Sequence, residues 1–283
     1  MSLVAGDRLH VRVDTGVGEF TAGAEVARVL VDTGLLAQRN LLKTSRNVRW
    51  VLFATIQPAL QLVLFSLVFG AIVDIPDYRN LIVPTVLIQA VTFSAMSSGV
   101  GIANDLNSGM VERLRSLPVA RSAYLLARVV ADGVRLALQA SFLVVFAYVT
   151  GFRFGNGLVF GLASVVAVVV FGVALASFAM WLGFLIRDAE VVQAATFVPL
   201  LPLLFTSSAF SPVGSLPDVM RPIAAWNPVT AAVDTARGLA LGDEALVVFG
   251  SPSLSASAVR LAVWCVVIAG SFTALAVRRY RHG

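Results

Sequence analysis

Six stretches of this chain are apolar and carry no charge: 50–73, 81–103, 136–152, 158–186, 191–210 and 261–277. Each is close to or above the roughly 20 residues that a helix needs to cross a bilayer. The third run is short, and its helix is expected to begin earlier, near Ser122, giving a span over 122–152. The fourth is long enough to tilt. Charged residues gather between the runs, which is the segregation a membrane imposes on a sequence. The pattern therefore predicts an all-α integral membrane protein with six transmembrane helices.

Three further segments are neither spans nor simple turns. In 24–42, Val26, Val29, Leu30, Leu36 and Leu41 recur at helical spacing, while Glu25, Arg28, Asp32 and Arg39 fall mostly elsewhere around the turn. This predicts an amphipathic helix, either lying in the membrane interface or packed on the domain as a soluble helix. Between spans two and three, Ser108 is a candidate N-cap, Glu112 falls in the first turns where the helix dipole favours an anion, and Leu117-Pro118 supplies a stop. Met110, Leu114 and Leu117 share one face, and Glu112, Arg115 and Ser116 the other. A short amphipathic helix beneath the bilayer follows, with its polar face turned to the cytoplasm. In 211–257, prolines 212, 217, 222 and 228 separate two possible short helices, Asp218 to Trp226 and Thr230 to Leu241. They suit re-entrant helices or an outer cap, where protein shields the backbone from lipid; a disordered loop would carry fewer apolar residues than Trp226, Val229, Val233 and Leu239. Residues 1–23 read as a flexible cytoplasmic tail and 24–283 as the transmembrane domain.

Composition agrees with the pattern: only 13% of residues are charged, against about 25% in a soluble domain, and the mean hydropathy is +0.87. The net charge of +5 comes from arginines at the ends of apolar runs, which suits lipid headgroups and topology control and argues against nucleic acid. Arg39, Lys43, Arg46 and Arg49 precede span one; Arg113, Arg115, Arg121 and Arg128 lie between spans two and three; Arg187 follows span four; Arg278, Arg279 and Arg281 follow span six. The alternate loops hold fewer basic residues, so both termini are expected in the cytoplasm. The first twenty residues lack the apolar core of a signal peptide, which agrees.

Candidate chemistry is sparse. The single lysine, Lys43, follows no glycine loop, so the chain carries no P-loop for ATP. The single cysteine and two histidines make neither a disulfide nor a zinc set, and no histidine lies within a span to serve a serine hydrolase. No catalytic residue, metal or cofactor of its own is expected. Gln57, Gln61, Gln89 and Thr92 are polar positions inside spans one and two, candidates for a substrate path or for bonding helix to helix. Arg121, Arg128 and Arg135 recur every seven residues with Asp132 on the same face. That ladder is either a solvated helix extension or an inward polar seam. Pro199 and Pro202 interrupt span five.

The stretch Asn104-Asp105-Leu106-Asn107-Ser108-Gly109-Met110-Val111-Glu112-Arg113-Leu114-Arg115-Ser116-Leu117-Pro118-Val119-Ala120-Arg121-Ser122 resembles the ABC-2 permease family, and more narrowly the daunorubicin-resistance type of efflux permease. Arg39-Asn40-Leu41-Leu42, Gln57-Pro58, Leu67-Val68-Phe69-Gly70 and Asn227-Pro228-Val229-Thr230 with Asp234, Arg237 and Leu239 are similar too. The resemblance runs from about residue 25 nearly to the end. It implies a multi-pass permease of a bacterial plasma membrane, paired with a second copy or a related permease and bound to two ABC ATPase subunits that hold the ATP and magnesium. It implies an interface helix before span one, a coupling helix at Ser108 to Leu117, and a second cytoplasmic contact at Arg187 to Glu190. The ATPase-coupling residues would then be Ser108, Glu112, Arg113, Arg115, Ser116, Arg187, Asp188 and Glu190. Exported molecules would be amphipathic: drugs, polyketides, lipids or glycolipids. Two rival readings are an ATP-independent transporter or channel, and a structural or sensory membrane protein that docks a cytoplasmic partner.

Overall fold

In a computed structural model, residues 48–72, 78–110, 113 and 121–282 are described. The expected tail, the amphipathic segment 24–42 and most of the loop helix lie outside them. Nine α-helices are present among these residues: α1 Val48–Ile72, α2 Tyr78–Asn107, α3 Arg121–Val149, α4 Gly157–Ile186, α5 Ala189–Phe205, α6 Met220–Trp226, α7 Pro228–Leu241, α8 Asp243–Val248 and α9 Leu254–His282. A single 3-10 turn, Val213–Ser215, precedes α6.

Among the described residues, four helices are long and apolar enough to cross a membrane: α2, α3 from Tyr124, α4, and α9 to Tyr280. Two shorter apolar helices accompany them, Thr55–Val68 within α1 and the whole of α5. Outward ridges are apolar: Leu60, Leu64 and Leu67 on α1, Leu162, Val166 and Val170 on α4, and Val259, Val263 and Val266 on α9 are all exposed. Apolar surface on this scale on several helices is what lipid contact, not water, would leave uncovered.

The centre of the fold is α2. Every residue from Leu81 to Thr92 is buried, and α2 packs most extensively on α4 while also meeting α1, α3, α5 and α7. Glycine makes the α2–α4 crossing possible. A Cβ on Gly183 would stand 2.5 Å from the Gly99 carbonyl oxygen and 2.9 Å from Ile102 Cβ, so the two backbones touch through small residues, as membrane helices commonly do. We expect Gly183→Val to force the pair apart and destabilise the fold by about 1–3 kcal/mol or more, the usual range for overpacking. Thermal unfolding in detergent checks this against Gly270→Ala, where a Cβ meets nothing within 4 Å.

The apolar run 191–210 and its helix differ at the end. Here α5 stops at Phe205, and Ser207 and Ser208 turn the chain instead: Thr206 N–H donates to the Pro202 carbonyl, and the buried Ser208 hydroxyl donates to Asp234 on α7. Conversely, α9 extends beyond its apolar run at both ends.

The expected short helices are present as α6 and α7, with α8 added. Asn227 starts α7: its Oδ1 accepts from Val229 N–H at 2.8 Å, and Pro228 occupies the first turn, where its missing N–H costs nothing. All residues of α7 from Pro228 to Gly238 are buried. This helix lies inside the fold, against α4, α9 and α2. Arg237 is fully buried with its guanidinium 3.6 Å above the Phe249 ring; it donates to Thr85 Oγ1 at 3.1 Å and stands 3.6 Å from Asp234.

Candidate functional site

Two rungs of the arginine ladder, Arg128 and Arg135, form an inward polar seam between α3 and α2; the Arg121 side chain lies outside the described ones. Arg128 reaches Asp105 at 2.7 Å, and the Tyr124 hydroxyl donates to the same carboxylate oxygen at 2.9 Å. Gly101 leaves the room this needs, since a Cβ there would fall inside the Arg128 guanidinium. Two turns deeper, Arg135 pairs with Asp132 at 3.2 Å, donates to the Ser94 carbonyl at 3.1 Å and bonds the Ser97 hydroxyl. Two helices flanking the loop of residues 108–120 are thereby joined by charge-assisted bonds at two levels.

At the loop end of these helices, α2 closes with Ser108 and Gly109 in a turn. Gly109 takes φ 68°, a left-handed value that glycine adopts at little cost, and the Ser108 hydroxyl donates to the Asp105 carbonyl at 3.1 Å. Asn107 Nδ2 donates to the Arg187 carbonyl at 3.0 Å, tying the end of α2 to the α4–α5 turn. There Arg187 itself has φ 62°, and Asp188 caps α5 by accepting from Glu190 and Val191 N–H. Ser108, Arg113, Arg187, Asp188 and Glu190 are all exposed. Thus Ser108 and the 187–190 turn, 80 residues apart through Asn107, are brought onto one end of the bundle. Glu112, Arg115 and Ser116 lie outside the described residues.

Polar residues of spans one and two meet in a cavity of about 180 Å³ between α1, α2 and α3. Gln57 and Gln61, one turn apart on α1, face Gln89, Phe93 and Ser94 of α2 and Gln139 of α3. A more open groove of about 450 Å³ continues from it, sharing Gln57, Gln61 and Gln89 and lined by Ile56, Leu60 and Leu64. Thr92 lies outside the cavity: it is fully buried and its hydroxyl donates to the Ile88 carbonyl of its own helix at 2.7 Å. Helix-to-helix bonding is carried by Ser94, which donates to Gln139 Oε1. Gln89 Oε1, by contrast, is buried without a hydrogen-bond partner. Gln139 and Ser97 complete the site without having been singled out in the sequence. The same signal marks them, a polar side chain inside an apolar run.

This arrangement defines a class: a multi-pass helical membrane protein with a polar cavity among its helices, a joined pair of turns at one end and a buried helical cap at the other. The family model for ABC-2 type transporters matches residues 32–241, and the chain belongs to that family. It is 27% identical over 224 residues to a probable doxorubicin resistance ABC transporter permease protein, DrrC, of Mycobacterium tuberculosis, covering 78% of this chain and 81% of that one. It is 28% identical over 189 residues to a daunorubicin resistance ABC transporter permease protein, DrrB1, of Streptomyces coeruleorubidus, covering 66% and 67%. A putative transport permease, ycf38, of Porphyra purpurea is 26% identical over 218 residues, covering 74% of each.

Proposed function

We propose that this chain is the permease subunit of an ATP-driven exporter of amphipathic molecules, drugs, lipids or polyketide-like compounds, in a bacterial plasma membrane. All six apolar helices span, both termini are cytoplasmic, and two ABC ATPase subunits bind a pair of permeases, either two copies of this chain or this chain and a relative. ATP and magnesium reside on the ATPases. Ser108, Glu112, Arg113, Arg115 and Ser116 dock one contact, and Arg187, Asp188 and Glu190 the second. Substrate passes Gln57, Gln61 and Gln89 and leaves beneath the α6–α8 cap.

The observation that carries this reading is the bond from Asn107 to the Arg187 carbonyl. It supports the reading by joining the end of α2, next to Ser108, to the α4–α5 turn, a geometry suited to a single partner moving both. ATP binding does work on the permease only in so far as it favours one conformation over another. Joined turns and a cross-bonded α2–α3 pair give that preference a stiff path.

The test is co-expression with an ABC ATPase encoded beside it, gentle extraction, and ATPase assay in nanodiscs. A stable complex, with ATPase activity altered by the permease, is the expected result. A chain that purifies alone while the ATPase is folded and present would overturn the exporter reading in favour of an ATP-independent transporter or a structural protein.

A further inference from the structure

We infer that the glutamine cavity binds the head of the transported amphipath, and that this head is compact, uncharged and rich in hydroxyl or amide N–H donors. The apolar remainder of the molecule lies along Ile56, Leu60 and Leu64 of α1. This rests on the exporter reading and deepens it by naming the chemistry of the substrate.

Size is the first argument. The inner cavity, about 180 Å³, is smaller than the roughly 300–1,000 Å³ of sites that enclose a drug-sized ligand. It holds a head and not a whole molecule. The continuous outer groove is bordered by Ile56, Leu60 and Leu64, each half-exposed on the outward side of α1. A molecule bound across both therefore has a polar end and an apolar end.

Charge is the second. No described side chain lining either compartment is ionisable. Asp132 and Arg135 on α3 are paired with each other, and Arg135 reaches the α2 serines. An ionic head entering the cavity would lose water and gain no opposite charge in return, which is the costly case.

Hydrogen bonding is the third. Gln89 is 6% exposed and its Oε1 has no partner. A buried carbonyl oxygen left in this state is rare and calls for a donor. Ser94 has committed its hydroxyl to Gln139 and Ser97 its own to the Ser94 carbonyl, so neither serine donates to Gln89. Gln57 and Gln61 stand opposite with amides that both accept and donate. A head with several hydroxyls meets all three glutamines. An analogue lacking donors leaves Gln89 unpaired, and a site built this way rejects it strongly.

The experiment uses the full chain in lipid nanodiscs and three probes with one fluorescent dodecyl tail and different heads: glucosyl, primary ammonium and sulfate. The glucosyl probe is expected to bind at least about tenfold tighter than either ion, and Gln89→Leu to weaken it about tenfold, one buried hydrogen bond's worth. Gln57→Leu, at an exposed position that folding tolerates, is expected to weaken the same probe severalfold. Gln89→Glu is expected to reverse the order in favour of ammonium. Three heads binding within twofold of one another, or ammonium binding tightest to the unaltered chain, would overturn the inference, as would indifference of the glucosyl probe to both leucine variants. Transport in proteoliposomes with the ATPase separates the two levels. Glucosyl-selective binding without ATP-driven transport keeps the cavity assignment and removes the exporter. Transport of all three heads alike keeps the exporter and removes the assignment.

Discussion

Arg237→Ala is expected to yield little or no folded permease. The guanidinium is wholly buried between α7, Thr85 of α2, the Ser208 turn and Phe249. Removing it leaves Asp234, 1% exposed, with the Ser208 hydroxyl still donating to it but without its neighbouring guanidinium. Breaking a buried pair in this way typically costs about 3–5 kcal/mol, because the surviving charge is uncompensated. Against a total stability of about 5–15 kcal/mol, that is about a fifth or more of what holds the protein together. The loss is local in sequence but not in structure. Residues α7, α2 and the chain after α5 all meet at this one side chain, and Thr85 also anchors the Ala209 carbonyl at 2.9 Å. The pair is itself imperfect: Arg237 Nε and Nη1 make no hydrogen bond, and the carboxylate is 3.6 Å away. Replacing both residues, Asp234→Leu with Arg237→Met, should therefore recover most of the loss, as apolar replacements of buried pairs often do. Arg221→Ala is the control. Its partner Asp218 is 88% exposed, and such pairs add little. Thermal unfolding and size exclusion in detergent decide the matter. An Arg237→Ala midpoint within about 2 °C of the unaltered chain would mean that the buried pair is not what holds the cap; a shift of about 2–4 °C per kcal/mol is expected for domains of about 150–250 residues.

How much of this was legible beforehand depends on what lipid does to a sequence. A bilayer keeps charge out of a spanning helix, so α4, most of α2 and the second half of α3 stood out as uncharged runs. Helix ends were less legible. Arginine side chains can carry a helix past its apolar run, as Arg260, Arg278 and Arg279 do on α9, whereas hydroxyls can end one within it, as Ser207 and Ser208 do after α5. Gln89 and Thr92 look alike in a sequence, three residues apart in one span. One leaves an oxygen unpaired in a cavity and the other bonds its own helix. The difference lies in which neighbours face them, and Gln139, fifty residues from Gln89 in the chain, is one of those neighbours. Arg237 was the least legible. With Asp234 three residues before it and prolines around it, the segment reads as a short helix of a re-entrant or outer cap. Yet burial of α7 from Pro228 to Gly238 follows from contacts with α4 and α9, which no local pattern encodes. The arginine ladder was half legible: its spacing puts three arginines on one face, but only Ser94, Ser97 and Asp105 on α2 show that the face turns inward.

That inward seam gives the second large prediction its force. Glu112→Ala with Arg115→Ala is expected to abolish ATP-driven export while leaving the permease folded. Both residues fall on the polar face of the amphipathic loop pattern, where charge-assisted bonds to an ATPase would form. Surface substitutions of this kind usually change stability by no more than about 0.5 kcal/mol, so lost export would report lost coupling. Transmission is the harder requirement. A loop tugged by a partner moves a substrate site only if the helices beneath it move together. Here Asp105, Tyr124 and Arg128 join α2 to α3 near the loop, and the second level, Asp132 and Arg135 with Ser94 and Ser97, reaches the wall of the glutamine cavity. Two residues of that wall, Ser94 and Ser97, belong to both structures. A companion variant tests the path separately. Asp105→Leu with Arg128→Leu removes the first level without leaving a lone charge, so the fold should survive, while export should fall severalfold and probe binding to the cavity should persist. Export retained by the Glu112 and Arg115 variant in a reconstituted complex would sink the lever. Export lost there but untouched by the Asp105 and Arg128 variant would leave the docking contact in place and send the force through Asn107 and the Arg187 turn instead.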